Sequence, residues 1–350
     1  MKKVKVYKAN PIPINTWTFM TIGVNSHGRL QEDVHKFARW LRNDMGINIV
    51  PTPVPANGVK ANSNEAAIRN AFARLDKDKK RPDFVLVILP EKSTSLYNMV
   101  KKAADVDFGF QTVCVVGDKF TKEGGQLGYF SNVGLKVNLK FGGVNHHVED
   151  AVGLIKGGKT MFVGYDVTHP TNMSAAAAER APSIVGLVAS VDKELGQWPA
   201  VVFQNPKGQE QVDKVFTDHF KSRLRLWQNK NGGHLPQNII IFRDGVSEGQ
   251  FKMVLDAELP YVRDACRAVY PNGKQPRLTL IVSVKRHQTR FYPTDPTHSH
   301  PKSMSPKEGT IVDRGVTNVR YWDFFLQAHA SLQGNLLFLF YQLRRPRLTE

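Results

Sequence analysis

The sequence predicts an α/β protein made of two successive units, and three features of its 350 residues lead to this prediction. The first part alternates helical and strand patterns, which is typical of a sheet with parallel strands. The second part begins with three short strand patterns at close spacing, which favours antiparallel neighbours. A junction at residues 144–159 separates them and ends in a Gly-Gly turn signal. We therefore expect one unit at residues 1–150 and another at residues 151–350.

The first unit should have a Rossmann-like arrangement. Segments with apolar residues at helical spacing alternate there with continuous apolar runs, which are typical of buried strands. The run Phe84–Leu89 predicts a strand buried on both faces, as in a parallel sheet. The other predicted elements are a helix that stops before Gly46, a helix opened by Asn62 and Glu65, a helix near residues 96–104, a strand over residues 111–116 and a helix ended by Gly142-Gly143.

The second unit should resemble ribonuclease H in its order of elements, which is three meandering strands followed by helix, strand, helix and strand. The predicted strands cover residues 161–167, 183–191, 200–203, 239–242 and 278–284, and the predicted helices begin near Val212 and Ser247. Pro260 falls inside the second of these helices and predicts a kink or a break there.

The charge balance indicates a polyanionic partner, because the chain carries a formal net charge of +17. Solubility alone does not require so large an excess of one sign. The basic residues are spread along the chain, which favours a folded basic channel over a basic tail. With only Cys114 and Cys266, a disulfide scaffold and a cysteine metal site are both excluded, and we expect a cytoplasmic protein. No apolar run approaches the ~20 residues that cross a bilayer, so no membrane partner is expected.

Two aspartates stand at the ends of predicted strands of the second unit. Asp166 and Asp244 would lie side by side, because the strand order makes these strands neighbours. Paired carboxylates are suitable ligands for Mg²⁺ or Mn²⁺, and a two-metal site can activate water for phosphodiester cleavage. The alternative is that both are turn residues. Ser247 and Gln250 form a capping box that explains part of the second segment without catalysis.

Five segments of the second half, in order, resemble signature segments of the PIWI domain of eukaryotic Argonautes, and a fungal RNA-silencing type is compatible with this resemblance. The segments are Asp166–Pro170, Arg243–Gln250, Lys285–Arg290, Gly309–Asp313 and His329–Gly334. The resemblance runs from near the start of the chain to about Gly334. It implies a MID domain followed by an RNase-H-like PIWI domain, and an RNA-guided endoribonuclease that acts in gene silencing.

The resemblance implies metal ligands of three carboxylates and a late His or Asp. Asp166 and Asp244 match two of them, and Glu210 is our choice for the third, although a glutamate before a helix also suits the helix dipole. The fourth ligand is not found, since His329 belongs to a different motif. We therefore expect the PIWI domain to be incomplete at its C-terminal end. The PAZ and N-terminal domains of complete Argonautes are not in the sequence.

The first half resembles the MID domain, which binds the 5'-phosphate and first base of a guide RNA. The matching residues are Tyr97, Lys101, Lys136, Lys140 and, on the next strand, Cys114. Val113 stands where the family has Gln, and Thr112 or Gln111 would substitute for it. Lys136 and Lys140 are four residues apart on one helix and can converge on one phosphate. Tyr97 can stack on the terminal base. The alternative for these lysines is a solvated helix face.

Lys285, Arg286, His287 and Arg290 follow a buried strand and are expected to bind guide backbone phosphates. Two functions remain open from the sequence. One is a slicer that binds a 5'-phosphorylated small guide RNA and cuts complementary target RNA with Mg²⁺ or Mn²⁺, together with silencing-complex proteins. The other is a guide-binding silencing module that does not cut. A nucleotide-binding enzyme is disfavoured because no glycine-rich phosphate loop follows a strand.

Overall fold

The computed structural model describes residues 5–24, 28–148, 153–171, 174, 181–285, 287–301, 303–317, 322–329 and 339–344. Contacts divide the chain into two compact units, Met1–Glu149 and Asp150–Glu350. The mixed α/β class expected from the sequence is confirmed. Among the described residues, no helix is both long and apolar enough to cross a bilayer.

The first unit contains a four-stranded parallel sheet in the order β2-β1-β3-β4. Its strands are β1 Trp17–Ile22, β2 Val59–Ala61, β3 Phe84–Leu89 and β4 Gln111–Val116, and its helices are α1 Gly28–Asn43, α2 Glu65–Lys77, α3 Thr94–Lys101, α4 Gly117–Phe120 and α5 Gln126–Lys140. One face of the sheet packs against α1 and α5, and the other packs against α2 and α3. Every residue of β3 is buried, which explains why that segment is continuously apolar.

Two parts of the first unit differ from the sequence-based expectation. Asn64, not Asn62, caps α2, because the Asn64 side chain accepts a hydrogen bond from the backbone N–H of Ala67. The strands β1 and β2 were not predicted. All six residues of β1 are buried although two are threonines, so the segment shows neither a continuous apolar run nor a clean alternation.

Helix α3 continues directly into a π-helical segment, Lys102–Phe108, which ends at Gly109 in the left-handed region with φ of 69°. Lys101 is the last residue of α3. A π-helix has a wider turn than an α-helix and is frequent at functional sites. The turn therefore changes the direction in which consecutive side chains leave the helix just after Lys101.

The second unit contains an eight-stranded mixed sheet in the order β10-β11-β12-β9-β8-β5-β6-β7. Its strands are β5 Thr160–Thr168, β6 Ser183–Ala189, β7 Ala200–Asn205, β8 Asn238–Asp244, β9 Arg277–Val284, β10 Ile311–Val312, β11 Trp322–Leu326 and β12 Leu339–Arg344, and its helices are α6 Gly153–Lys156, α7 Val215–Lys230, α8 Phe251–Met253 and α9 Leu259–Val269.

The expected ribonuclease-H-like order of elements is confirmed. β5, β6 and β7 form an antiparallel meander, and β8 and β9 are added in parallel next to β5. The strands β10–β12 were not predicted. Val212 was expected in the first long helix, but it precedes α7 and is buried in the core.

The expected break at Pro260 takes the form of a second π-helical segment, Val254–Glu258, which leads into α9. Pro260 lies in the first turn of α9, where a missing backbone N–H costs little. The capping box of Ser247 and Gln250 is present at the start of this helical region.

Candidate functional site

In the first unit, Lys101 is fixed by two partners. Its Nζ donates hydrogen bonds to Thr112 Oγ1 at 2.9 Å and to the Asp105 carboxylate, whose Oδ2 is 2.7 Å away. Thr112 is only 1% exposed, so this contact reaches into the interior beside β4. Asp105 lies within the π-helical segment. The ammonium group of Lys101 is therefore placed next to the strand that carries Thr112 and Cys114.

Lys136 and Lys140 approach the same strand from α5. β4 is at the edge of the sheet among the described strands, so helices on both faces can reach it. The pKa of Lys140 is lowered, first by partial burial and next by the positive charge of Lys101. Two cations on helices of opposite faces thus lie close enough to repel each other. Such repulsion is relieved when an anion binds between them.

Cys114 is part of the same electrostatic environment. Burial raises the pKa of its thiol to about 11, and the charges of Lys101, Lys140 and Lys136 act in the opposite direction. The thiol is therefore neutral at physiological pH. It can contribute a weak S–H donor rather than a competing anion.

Tyr97 is 45% exposed on α3, in the turn before Lys101. The helix is capped by Ser93, whose Oγ accepts from the N–H of Leu96. Val113 is 5% exposed and packs in the core on the α1 and α5 face, whereas Gln111 is exposed. We call Tyr97, Lys101, Thr112, Cys114, Lys136 and Lys140 the lysine site.

In the second unit, Asp166 and Asp244 lie at corresponding positions of adjacent parallel strands. The residues before them, Tyr165 and Arg243, are register partners. Asp166 Oδ1 accepts a hydrogen bond from the Val167 N–H, and Asp244 Oδ1 accepts one from the Gly245 N–H, each at 2.9 Å. The expected placement of the two aspartates on neighbouring strands is thus observed.

Glu210 lies in the loop between β7 and α7, and its carboxylate is 17% exposed. His169 Nε2 is 2.9 Å from Glu210 Oε2, while His169 Nδ1 is 2.8 Å from Ser183 Oγ. Ser183 Oγ also accepts from the Gly208 N–H. All these contacts are satisfied when Nε2 carries the imidazole proton and donates it to Glu210. His169 thereby orients the carboxylate.

Gly245 lies beside the carboxylates of Asp166 and Glu210. A Cβ at this position would lie 2.5 Å from Asp166 Oδ1 and 3.4 Å from Glu210 Oε1, and the residue has φ of 90°. Only glycine fits these conditions without strain. The Asp166 and Glu210 carboxylates therefore flank the same small space, at the end of the strand that bears Asp244. We call Asp166, Glu210 and Asp244 the carboxylate site.

A buried ion network lies beneath the carboxylate site, and the sequence reasoning did not identify it. Arg243 and Glu258 are both 0% exposed, with Arg243 Nε 2.9 Å from Glu258 Oε2. Burial alone would lower the pKa of the Arg243 guanidinium, but the hydrogen bond and charge of Glu258 outweigh it and raise that pKa. Arg243 Nη2 also donates to the backbone carbonyl of Glu210 at 2.9 Å.

The carboxylate site fits a divalent cation in part. Glu210 Oε1 is buried and has no aligned hydrogen-bond donor, although Arg243 Nη2 lies 3.0 Å away. Buried polar atoms normally have a partner, so this oxygen is suited to a cation. Among the described residues, however, no three His, Cys, Asp or Glu side chains converge on one metal position. Asp244 Oδ2 is instead paired with Lys285.

The residues expected to bind guide backbone differ in their contacts. Lys285 forms the ion pair with Asp244, and Arg290 Nη1 donates to the carbonyls of His287 and Thr289 within its own loop. The His287 ring contacts Phe325 edge-to-face. Arg286 lies outside the described residues. Among the three described residues, Lys285 and Arg290 contact different segments, and the binding of a guide backbone by this group stays a prediction.

The Piwi domain family matches residues 84–341. Argonaute 10 of Arabidopsis thaliana is 32% identical over 93% of this chain and 34% of its own length, so the chain spans about a third of this curated relative. The Kluyveromyces polysporus Argonaute, solved with a guide RNA, is 26% identical. It has a TM-score of 0.83 over 100% of this chain and 44% of that chain.

The MID–PIWI domains of the Neurospora crassa QDE-2 AGO protein are 50% identical to this chain. That structure has a TM-score of 0.70 and covers 80% of this chain and 76% of its own. The Piwi match extends over well over half of the 350 residues. These similarities, together with the two folds described above, show that the chain belongs to the eukaryotic Argonaute family and corresponds to the MID–PIWI lobe of its members.

Proposed function

We propose that this chain binds the 5'-phosphorylated end of a small guide RNA at the lysine site. The observation that carries the proposal is the approach of Lys101 and Lys140 to each other beside Thr112, because two cations that repel each other favour a shared anion. A terminal phosphate carries close to two negative charges and three acceptor oxygens, so it can accept from both ammonium groups at once.

The contacts of Lys101 support this assignment. Its ammonium is at present neutralised by Asp105, whose side chain is 46% exposed and can turn to solvent. A phosphate that replaced Asp105 would retain the hydrogen bond from Lys101 to Thr112. Tyr97 is exposed one helical turn before Lys101 and can stack on the first base, a contact worth about 1–3 kcal/mol with any base.

The test compares two forms of one short single-stranded RNA, with a 5'-phosphate and with a 5'-hydroxyl. The expected result is that the full chain binds the phosphorylated RNA more tightly, and that Lys140→Ala reduces this preference. Equal affinity for the two forms would refute the proposal. Binding of an RNA labelled at its 3' end can be followed by fluorescence anisotropy.

We further propose that the carboxylate site cuts complementary target RNA paired to the guide. Asp166, Glu210 and Asp244 would bind divalent cations, Mg²⁺ or Mn²⁺. These cations, when bound, supply charge stabilisation for an in-line displacement by water. His169 and Arg243 orient Glu210, and Gly245 leaves the space between Asp166 and Glu210 open. Cleavage should leave 5'-phosphate and 3'-hydroxyl ends.

A second candidate function is guide binding without cleavage, and the ion pair of Asp244 with Lys285 favours it. That pair must open before Asp244 can bind a cation. The two candidates are separated by incubating the guide-loaded chain with matched target RNA and Mg²⁺, beside the Asp166→Ala variant. Cutting that is lost in the variant supports the slicer. Absence of cutting by the unaltered chain supports the second candidate.

Both candidate functions imply the same further partners. Target RNA pairs with the guide, and silencing-complex proteins act together with the loaded chain, which we place in the cytoplasm. Copurification of 5'-phosphorylated small RNAs with the expressed chain would be the direct check of the partner class.

A further inference from the structure

Glu258 is a buried carboxylate whose two oxygens are fully used, and its partners come from three separate segments. Oε2 accepts from Tyr165 Oη at 2.7 Å and from Arg243 Nε at 2.9 Å. Oε1 accepts from the Val212 N–H at 3.0 Å and from Arg243 Nη2 at 3.1 Å. Both Glu258 and Arg243 are 0% exposed. No other carboxylate described for the second unit is both completely buried and bonded in this way.

Each partner of Glu258 lies next to one member of the carboxylate site. Tyr165 immediately precedes Asp166, Arg243 immediately precedes Asp244, and Val212 follows Glu210 by two residues. Arg243 also donates to the backbone carbonyls of Asp244 and Glu210. One buried side chain therefore connects β5, β8 and the loop before α7 at the three positions where the candidate carboxylates leave the backbone.

The loop that carries Glu210 has a second, weaker anchor. Asn205 Nδ2 donates to the carbonyls of Gln209 and Gln211, each at 2.9 Å, and Asn205 Oδ1 accepts from the Asp213 N–H. The Asn205 contacts fix the shape of the loop, while Ser183 Oγ, which accepts from the Gly208 N–H, and His169, which contacts Glu210, hold it near β6 and the end of β5. None of these contacts reaches β8. Glu258, by contrast, ties the loop to both strands through Val212 and Arg243.

We infer that Glu258 is the positioning residue that sets Glu210 against Asp166 and Asp244, acting through Arg243, Tyr165 and the Val212 N–H. This inference rests on the proposed role of the carboxylate site. Charged hydrogen bonds in a dry interior are stronger than exposed ones, and the supporting contacts of metal ligands commonly change metal affinity or activity by about 10–100-fold when lost. Glu258 itself is buried beneath the site and does not contact substrate.

The decisive variant is Glu258→Gln, with Asp256→Asn as its matched control. Asp256 lies in the same π-helical segment, is exposed and is two residues away. A glutamine keeps the shape of the side chain, but it places an NH₂ donor against the donors of Arg243 or Tyr165. The first measurement is hydrogen–deuterium exchange of the full chain, because it reports on the loop without requiring cleavage.

In Glu258→Gln, the exchange of amides of residues 209–213 should accelerate about tenfold more than that of β6 amides, while the first unit remains unchanged. Asp256→Asn should leave the loop as in the unaltered chain. Unchanged exchange of the loop in Glu258→Gln would overturn the inference. An equal acceleration in the loop and in β6 would also overturn it, since that is the result of a merely structural role. Should the variant not fold, Tyr165→Phe removes a single hydrogen bond to Glu258, and it must raise exchange of the loop to a smaller degree.

The second measurement separates this inference from the proposed cleavage. For the guide-loaded chain, Glu258→Gln should reduce the cleavage rate by about 10–100-fold and raise the Mn²⁺ concentration needed for half-maximal rate, with guide affinity unchanged. The affinity for Mn²⁺ should weaken in parallel. It is measured from the paramagnetic signal of the free ion, which decreases as the ion binds. If the unaltered chain does not cut, the slicer proposal fails, whereas the exchange result still decides the role of Glu258.

Discussion

In the lysine site of the first unit, Lys136 and Lys140 are exposed and Lys101 is partly exposed, whereas the carboxylate site of the second unit lies over a completely buried ion network. Lys101 is neutralised by a half-exposed aspartate, and Lys136 and Lys140 are exposed on α5. Arg243 and Glu258, in contrast, are both 0% exposed. A site that only has to attract a charged group can be adjustable. The proposed cleavage would require fixed positions, and the buried network restrains the residues next to the carboxylates.

The largest effect should follow from breaking the network, because it leaves one charge buried without its partner. We expect Arg243→Met to destabilise the second unit by about 3–5 kcal/mol, with guide binding by the first unit retained. The free energy of unfolding is measured in urea, with hydrogen–deuterium exchange of the β8 amides as the probe of the second unit. The double variant Arg243→Met/Glu258→Leu should regain most of this stability, since a well-packed apolar pair can replace a buried ion pair. If it does not, the network is not the source of the loss.

The next effect concerns the space between the carboxylates. Gly245→Ala places a methyl group 2.5 Å from Asp166 Oδ1 on a backbone with φ of 90°. Displacement of catalytic groups by ~1 Å can cost about 10²-fold in rate, so we expect a loss of that order in target cleavage. Gly233→Ala is the matched control, because Gly233 has φ of 83° with no atom within 4 Å of the added Cβ. Equal rates in the two variants would show that the Asp166 side chain moves aside freely.

A smaller effect, on the affinity for RNA, is expected in the lysine site. Lys140→Ala removes one charge-assisted contact to the guide phosphate, which should weaken binding by roughly tenfold to a hundredfold. The loss should appear for 5'-phosphorylated RNA and be slight for 5'-hydroxyl RNA. Lys79→Ala is the control, since Lys79 is an exposed lysine on the loop after α2. A loss of the same size for both RNAs would show that Lys140 contacts the backbone instead of the terminal phosphate.

The smallest effect is on the reactivity of Cys114. Because burial raises the pKa of the thiol to about 11, the reactive thiolate is scarce at pH 8 and increases toward that pKa. Alkylation by iodoacetamide, measured for the Cys114 peptide by mass spectrometry, should therefore accelerate up to about pH 11. Lys101→Ala should move the midpoint higher, because Lys101 lowers the pKa of this thiol. An unshifted midpoint would mean that the Lys101 ammonium is too distant to affect the thiol.

The sequence predicts the lysine site more completely than the carboxylate site. Lys136 and Lys140 lie four residues apart, and strand β3 is a single apolar run, so local spacing is sufficient for both. The neighbouring positions of Asp166 and Asp244 follow from the order of strands. The two spacing signals in the first unit do not depend on contacts between distant parts of the chain.

The parts that were not predicted depend on such distant contacts. Glu258 lies in the middle of a helical region, and its contact with Arg243 of β8 is seen only in the folded structure. Strand β1 combines threonines with apolar residues, so its complete burial is set by its central place in the sheet. A charged residue in an apolar helical segment is the signal by which Glu258 could have been found.

Both sites adjoin a helix of unusual width. Lys101 stands at the entrance to Lys102–Phe108, and Glu258 is the last residue of Val254–Glu258. A π-helical turn holds about one residue more than an α-helical turn, so deleting a single residue from either segment would restore regular winding and leave the flanking helices close to their present orientation. The side chains inside the segments would shift instead, among them Asp105, which pairs with Lys101, and Glu258, which pairs with Arg243. The number of residues in these two segments, as much as their identity, determines which side chains face each site.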